Sequence, residues 1–434
     1  MIRRAVPFLI LGVVLTGILV TLAVYPPGGP PRSTFRRVYF ADNISPAHQA
    51  VIDRFNAEHR GSIEVVPVAL PFAKFSTNER KELLARSLRN KSDRLDVFSV
   101  DLIWVPRFSK WSEPLDASMG PEETRRILPY ALESCLYDSH FVAMPMYIDV
   151  GLLYYRRDLI RGLPDGAAVE EKLRSSMTWE EFIRLRDRLT LHGAPYYLFQ
   201  ADNFEGLVCN YFEMLAGQER DFFVGNRVDL SSPVAEKGLQ MLVDFVHRYR
   251  MSPPEVCGYD EIRSYIHMLR YGGAFVRGWP NFIEDYRSFY PDSVNIANIG
   301  RAALPHFAGR PPVSVFGGWN LMISKYSTNK EAALTFVRYL QREDAQKILF
   351  ELGGFIPTNA TVYADTSFMA QHPDLAYYRR LLDYGFHRPQ LVDYTRMSDI
   401  ISSYAHLAIK GELTVHEALT RASRVMQNEQ VFHK

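Results

Sequence analysis

Cysteine is scarce in this 434-residue chain: there are three, Cys135, Cys209 and Cys257, far apart and odd in number. No disulfide framework and no CxxC metal pair can be built from them, and at most one bridge could form. An excess of one charge is also lacking. With 50 Lys and Arg against 49 Asp and Glu, the net charge is +1, which gives no electrostatic case for nucleic acid as the main partner. GxSxG, HExxH, the P-loop and GxGxxG are absent, and the 12 histidines show no metal-ligand spacing. A hydrolase is left only as a pair of carboxylates whose separation would have to suit a glycosidase. No metal and no cofactor is expected. No internal repeat or low-complexity tract is present.

What the chain does have is length, apolar content and rings. At 434 residues with 47% hydrophobic residues, it exceeds one ordinary core, so two compact lobes are expected. Aromatic residues make up 13%, with 24 Tyr and 27 Phe. Most of these rings belong to cores, and the surplus is enough to line a site.

The N-terminus stands apart from the fold. Arg3 and Arg4 precede Ala5–Tyr25, an uncharged apolar run long enough to cross a bilayer. Positive charge before the span places the N-terminus in the cytoplasm and the rest outside. A cleaved signal has a shorter apolar region and a small-x-small site, whereas Tyr25-Pro26-Pro27 follows here. The first cysteine is Cys135, so no lipid-attachment site follows the span. Residues 1–25 are expected to be an uncleaved membrane anchor, with a signal segment as the alternative. Residues 26–35 form a linker stiffened by prolines.

From Val38 the pattern alternates. Val38–Phe40, Ile63–Leu70 and Leu95–Val100 read as strands, and the segments to His59 and Asn78–Arg89 read as helices. Ser45-Pro46 is a helix start. Strand, helix, strand, helix, strand at these lengths predicts parallel pairing in an α/β lobe, with ligands outside the carboxyl ends of strands. Asp42-Asn43 and Asp101 stand at such ends. Asp101 could equally cap the helix starting near Pro106.

The chain is organised around Val142–Ile160, VAMPMYIDVGLLYYRRDLI. Pro145 and the β-branched and aromatic residues make it two extended segments, broken at Asp149–Gly151. A carboxylate in so apolar a run is either a turn residue beside Gly151 or faces a cleft. Further on, Thr178–Glu181, Thr328–Glu331 and Thr414–Glu417 are capping boxes, and Gly353-Gly354 ends a helix. Gly317-Gly318 precedes Trp319, and glycine pairs let backbone approach a ligand or bend between lobes.

Six segments in order resemble the extracellular solute-binding proteins (family 1) of carbohydrate ABC importers, the maltose/trehalose type. They are WVPRFSKWSEPLD (Trp104–Asp116), MPMYIDVGLLYYRRDLI (Met144–Ile160), TWEEF (Thr178–Phe182) and GGWNLMISKYSTNKEAALTFVRYL (Gly317–Leu340). AQKILFELGGFIPTNATVY (Ala345–Tyr363) and FHRPQLVDYTRMSDII (Phe386–Ile401) follow. The resemblance covers all but the anchor and linker. It implies a two-lobe periplasmic binding protein type II fold, α/β, each lobe a mostly parallel sheet flanked by helices, joined by a three-crossing hinge near Ile148, Val315 and Pro357. Lobe 1 would be residues 36–147 and 316–357, and lobe 2 residues 148–315 and 358–434.

The resemblance also implies the site. Asp101 and Asp149 would bind sugar hydroxyls, Trp279 and Trp319 would stack on sugar rings, and Tyr147 would line the cleft. Gly318 would bring backbone close to the ligand, and Arg388 would reach in from the last segment. Relatives often place a carboxylate at the first strand-to-helix loop; here Asp42 or Asn43 would substitute. Where relatives read Arg-Pro-Arg-Pro, this chain has His387-Arg388-Pro389-Gln390. The implied partners are a carbohydrate and ABC permease subunits, with the membrane reached through the N-terminal segment and the protein a monomer. The competing role is a sensory ectodomain on the same fold.

Overall fold

The computed structural model describes residues 35–71, 74, 77–92, 94–226, 228–287 and 294–431. The expected anchor, residues 1–25, and the linker up to residue 34 lie outside the described residues. Among the described residues no helix is long and apolar enough to cross a membrane.

The first elements follow the alternation in the sequence: β1 (Arg36–Asp42), α1 (Pro46–Glu58), β2 (Ile63–Ala69), α2 (Thr77–Arg89) and β3 (Val97–Asp101). β1 pairs in parallel with β2 and β3. Ser45 caps α1 with its side chain, and the His48 ring accepts the Ser45 N–H in return. The central stretch forms β4 (Met144–Val150) and β5 (Leu152–Arg156), one extended run interrupted at Gly151. Its two halves enter different sheets.

The second lobe comprises β5, α3 (Trp179–Leu185), β6 (Tyr197–Leu198), α4 (Glu205–Gln218), α5 (Pro233–His247), α6 (Glu261–Arg270), β7 (Phe275–Gly278) and β8 (Ile299–Ala302). Its sheet order is β8-β5-β7-β6. β5 is antiparallel to both neighbours, and only β6 and β7 are parallel. The expected mostly parallel sheet is thus mixed in this lobe. β5 arrives as the continuation of β4, so the crossing sets its direction, where a helical crossover would impose a parallel one.

β9 (Ser314–Ile323) runs back into the first lobe between β3 and β4, antiparallel to both. α7 (Lys330–Leu340) and α8 (Glu343–Gly353) cover that sheet: Phe336 of α7 meets Phe40 and Phe55 edge-on at 5.3 and 5.1 Å. Thr328 does not cap α7; the helix starts one residue later, with Asn329 at the cap position and its N–H bonded to the Ser327 hydroxyl. Gly354 ends α8 at φ 68°, as the glycine pair predicts. β10 (Gly385–Phe386) adds to the start of β9, and α9 (Tyr394–Ile409) and α10 (Val415–Val431) pack on α4 and α5. The stretches expected to cross lie side by side: Ile148 bridges to Ile356, and the Gly151 N–H is bonded to Val315 O at 3.2 Å. All three cysteines are free thiols, and burial pushes Cys135 and Cys209 upward in pKa.

Candidate functional site

Strand register assembles the centre of the site. Trp319 of β9 lies opposite Asp101 of β3 on one side and Tyr147 of β4 on the other, and Gly317 lies opposite Asp149. Opposed residues share a face, as do residues two apart on one strand. Asp101, Tyr147, Asp149, Gly317 and Trp319 therefore project to the same side of the first sheet.

The two glycines have different reasons to be there. A Cβ on Gly317 would lie 2.8 Å from Cζ3 of Trp279, the residue just after β7 in the second lobe. Gly317 thus makes room for a ring from the opposite lobe. At Gly318 φ is +128°, and a Cβ would lie 2.5 Å from Tyr147 O. What demands glycine at Gly318 is β4, the neighbouring strand.

Trp279 is held at both ends of its backbone: its N–H donates to the Tyr265 phenol at 2.8 Å, and its carbonyl accepts from the Tyr154 phenol at 2.8 Å. Its indole N–H donates to Glu261 at 3.3 Å. Burial raises the Glu261 pKa against the lowering effect of that bond.

Each tryptophan carries a buried arginine on one ring face. The Arg80 guanidinium lies 4.3 Å from the Trp319 ring centre, and that of Arg277 lies 4.0 Å from the Trp279 ring centre. Asp42 Oδ1 accepts from Arg80 Nη2 at 2.9 Å, and Glu213 Oε1 accepts from Arg277 Nη2 at 2.8 Å. Such stacking pins the indole plane and adds cation–π attraction. Arg80 sits below its ordinary pKa because burial outweighs Asp42, whereas at Arg277 burial is outweighed by Glu213 and the pKa rises.

The first loop divides the work between Asp42 and Asn43. Asp42 is turned inward: besides Arg80 it accepts the Asn43 N–H at 2.6 Å and lies 3.5 Å from His48 Nε2. Asn43 stays half-buried at the loop. Asp101 caps the short turn Leu102–Trp104 by accepting the Ile103 N–H at 3.1 Å, and it also faces Arg388 at 3.3 Å. Burial raises the pKa of Asp101, with Arg388 opposing.

Arg388 reaches in with both terminal nitrogens engaged. Nη1 donates to Glu205 at 2.6 Å, and Nη2 donates to Asp101 and to Phe316 O, each at 3.3 Å. Glu205 also accepts from the Tyr394 phenol at 2.6 Å and from the Ser398 hydroxyl. Nearby, Asn78 of α2 bonds Asp399 of α9 at 3.3 Å.

Sequence reasoning passed over Arg80, Arg277, Glu205, Glu213 and Glu261. Arg80 carries no signal, since NERKELLAR reads as a solvated helix face. Glu205 and Glu213 do: they are lone acids eight residues apart in an apolar helix, hence on one face. Arg277 is likewise a lone cation in the apolar strand GGAFVRGW. Among the described residues no group of three or more His, Cys, Asp or Glu could hold a metal.

This two-lobe arrangement invites comparison with known proteins. The family model described as bacterial extracellular solute-binding protein matches residues 41–347. The chain belongs to this family. Among other solute-binding proteins, a probable ABC transporter-binding protein of Deinococcus radiodurans is 27% identical over 365 residues, covering 81% of this chain and 83% of its own. The maltose-bound MalE3 of T. maritima is 26% identical with a TM-score of 0.80, covering 90% of this chain and 99% of that one. A solute-binding protein of Thermotoga lettingae bound to α-D-tagatose shares the fold at 22% identity and a TM-score of 0.76, covering 90% and 98%.

Proposed function

We propose that this solute-binding protein captures a carbohydrate between its lobes and delivers it to the transmembrane subunits of an ABC importer. The observation that carries the reading is the pair of tryptophans, one from each lobe, each pinned by a buried arginine and flanked by carboxylates. Sugar rings offer a C–H face to an indole and a rim of hydroxyls to carboxylates and arginine. The likeness to a maltose-bound protein at 26% identity supports the same ligand class.

In this reading Asp101 and Asp149 accept from ligand hydroxyls, Trp279 and Trp319 stack on sugar rings, and Tyr147 and Asn43 line the opening. Gly318 brings backbone close to the ligand, Arg388 reaches in from the last segment, and Gly317 is added to the site beside them. Lobe 1 spans residues 36–147 and 316–357, and lobe 2 spans residues 148–315 and 358–434. Closing on the ligand shifts the population toward a form whose surface the permease subunits recognise. The protein works outside the cytoplasmic membrane, tethered by residues 1–25, as a monomer that binds without transforming its ligand.

A thermal-shift screen of the purified protein against mono-, di- and oligosaccharides tests this. Binding to the folded state raises the midpoint by mass action. A clear rise with one sugar class is expected; no rise across the panel would remove the carbohydrate reading and leave the fold assignment standing.

A further inference from the structure

Glu213 sits where two lobe crossings meet. Its Oε1 accepts the Val315 N–H at 3.3 Å and the Ser314 hydroxyl at 3.4 Å, both from the start of β9. The Ser314 hydroxyl also donates to Gly151 O at 2.6 Å, joining β9 to the break between β4 and β5. A Cβ on Gly151 would lie 2.4 Å from Glu213 Oε1 and 2.6 Å from Arg277 Nη2. The ion pair therefore fills the space that glycine leaves at the first crossing.

Arg277 extends this node to the cleft. Nη2 and Nε face the Glu213 carboxylate at 2.8 and 3.4 Å, while the guanidinium face covers the Trp279 ring. Both side chains are buried, at 0% and 4% exposure. A buried ion pair is weak evidence for stability, because well-packed apolar residues often serve as well. What this one supplies is direction. A bidentate fork fixes a guanidinium plane, and through it the plane of the ring stacked on it.

We infer that Glu213 and Arg277 are positioning residues that couple the Trp279 ring to the two crossing strands, so that seating a sugar on Trp279 and closing the hinge are one event. The inference rests on Trp279 being a sugar-stacking ring, as read above. When the lobes rotate, the Ser314–Val315 and Gly151 backbones change direction. Glu213 is bonded to Ser314 and Val315 and packed against Gly151, so it moves with them, and Arg277 carries that movement to Trp279.

The test uses the full-length protein, with maltose as probe and, should wild type not bind it, the panel sugar giving the largest thermal shift. Glu213→Gln keeps the shape and the acceptor for Val315 but loses the charge; Arg277→Lys keeps the charge but loses the fork. Small-angle scattering reads lobe closure, and calorimetry reads affinity. Both variants are expected to lose most of the sugar-induced contraction and to bind at least tenfold more weakly. A lowered melting temperature with full contraction and affinity within twofold of wild type would overturn the inference, leaving the pair only structural. Trp279→Ala separates the two readings. If it binds sugar like wild type, the stacking role fails and the coupling with it; if it binds weakly while Glu213→Gln closes normally, only the coupling fails. If no sugar contracts wild type, the carbohydrate reading fails. The unliganded radii of wild type and Glu213→Gln then decide: a difference supports the hinge link, and identity overturns it. Should Arg277→Lys not fold, Glu213→Gln carries the test.

Discussion

Arg388 Nη2 lies 3.3 Å from Asp101 Oδ1, while Nη1 of the same guanidinium lies 2.6 Å from Glu205. Asp101 ends β3 of the first lobe and Glu205 begins α4 of the second, so one buried cation serves a carboxylate from each. Removing it would strip both buried carboxylates of their direct ion pair. Arg388→Met is expected to destabilise by about 3–5 kcal/mol, the cost of stranding a buried charge. Asp101→Asn keeps an acceptor and leaves Glu205 paired, so its loss should be much smaller. Urea unfolding of both variants measures the difference, and equal losses would mean that Asp101 is not the lesser partner.

The cleft assignment predicts that Trp319→Ala and Asp149→Ala each weaken sugar binding at least tenfold, about 1.4 kcal/mol, with the fold intact. Calorimetry with the sugar found in the thermal screen provides the number. Unchanged affinity in both variants would remove the cleft assignment.

The adjacent glycines should separate. Gly318→Ala places a Cβ against Tyr147 O in a backbone conformation that L residues avoid, so it should cost about 1–3 kcal/mol of stability. Gly317→Ala meets the edge of the Trp279 ring, a side chain of the site and not neighbouring backbone, so it should lower sugar affinity more than melting temperature. Thermal unfolding and titration of the two variants side by side would show the crossed pattern or its absence.

His48 gives a pH dependence of defined sign. Burial lowers its pKa from the ordinary 6.5, with Asp42 opposing and Arg80 assisting. The unfolded chain then binds a proton that the folded chain refuses. This contribution to stability is whole above about 6.5 and is lost as pH falls from there toward the folded value. Gln does not titrate, so the melting-temperature gap between wild type and His48→Gln should narrow from pH 7.5 to 5.5. A constant gap would mean that His48 takes up its proton alike in both states.

The fold was largely legible. The capping boxes at Thr178 and Thr414, the glycine pair that ends α8 and the alternation of β1 to β3 are local signals, and the structure follows them. The capping box expected at Thr328 and the parallel sheet expected in the second lobe were not followed. In the first, the helix starts one residue later, with Asn329 at the cap; in the second, strand direction is inherited across the hinge. The candidate site was legible as residue types, with Trp319, Asp149 and Arg388 each conspicuous in context. That Trp319 stands between Asp101 and Tyr147 could be read only from strand register.

From its own residues the chain determined most of the helices and strands, because periodicity and caps act over a few residues. Only the tertiary structure decided which carboxylate holds which arginine. Arg277 and Glu213 are 64 residues apart, and Arg388 and Asp101 are 287 apart. Charge pairing over such separations leaves no local pattern, because the partners become neighbours only after both sheets have formed and the crossings have brought their edges together.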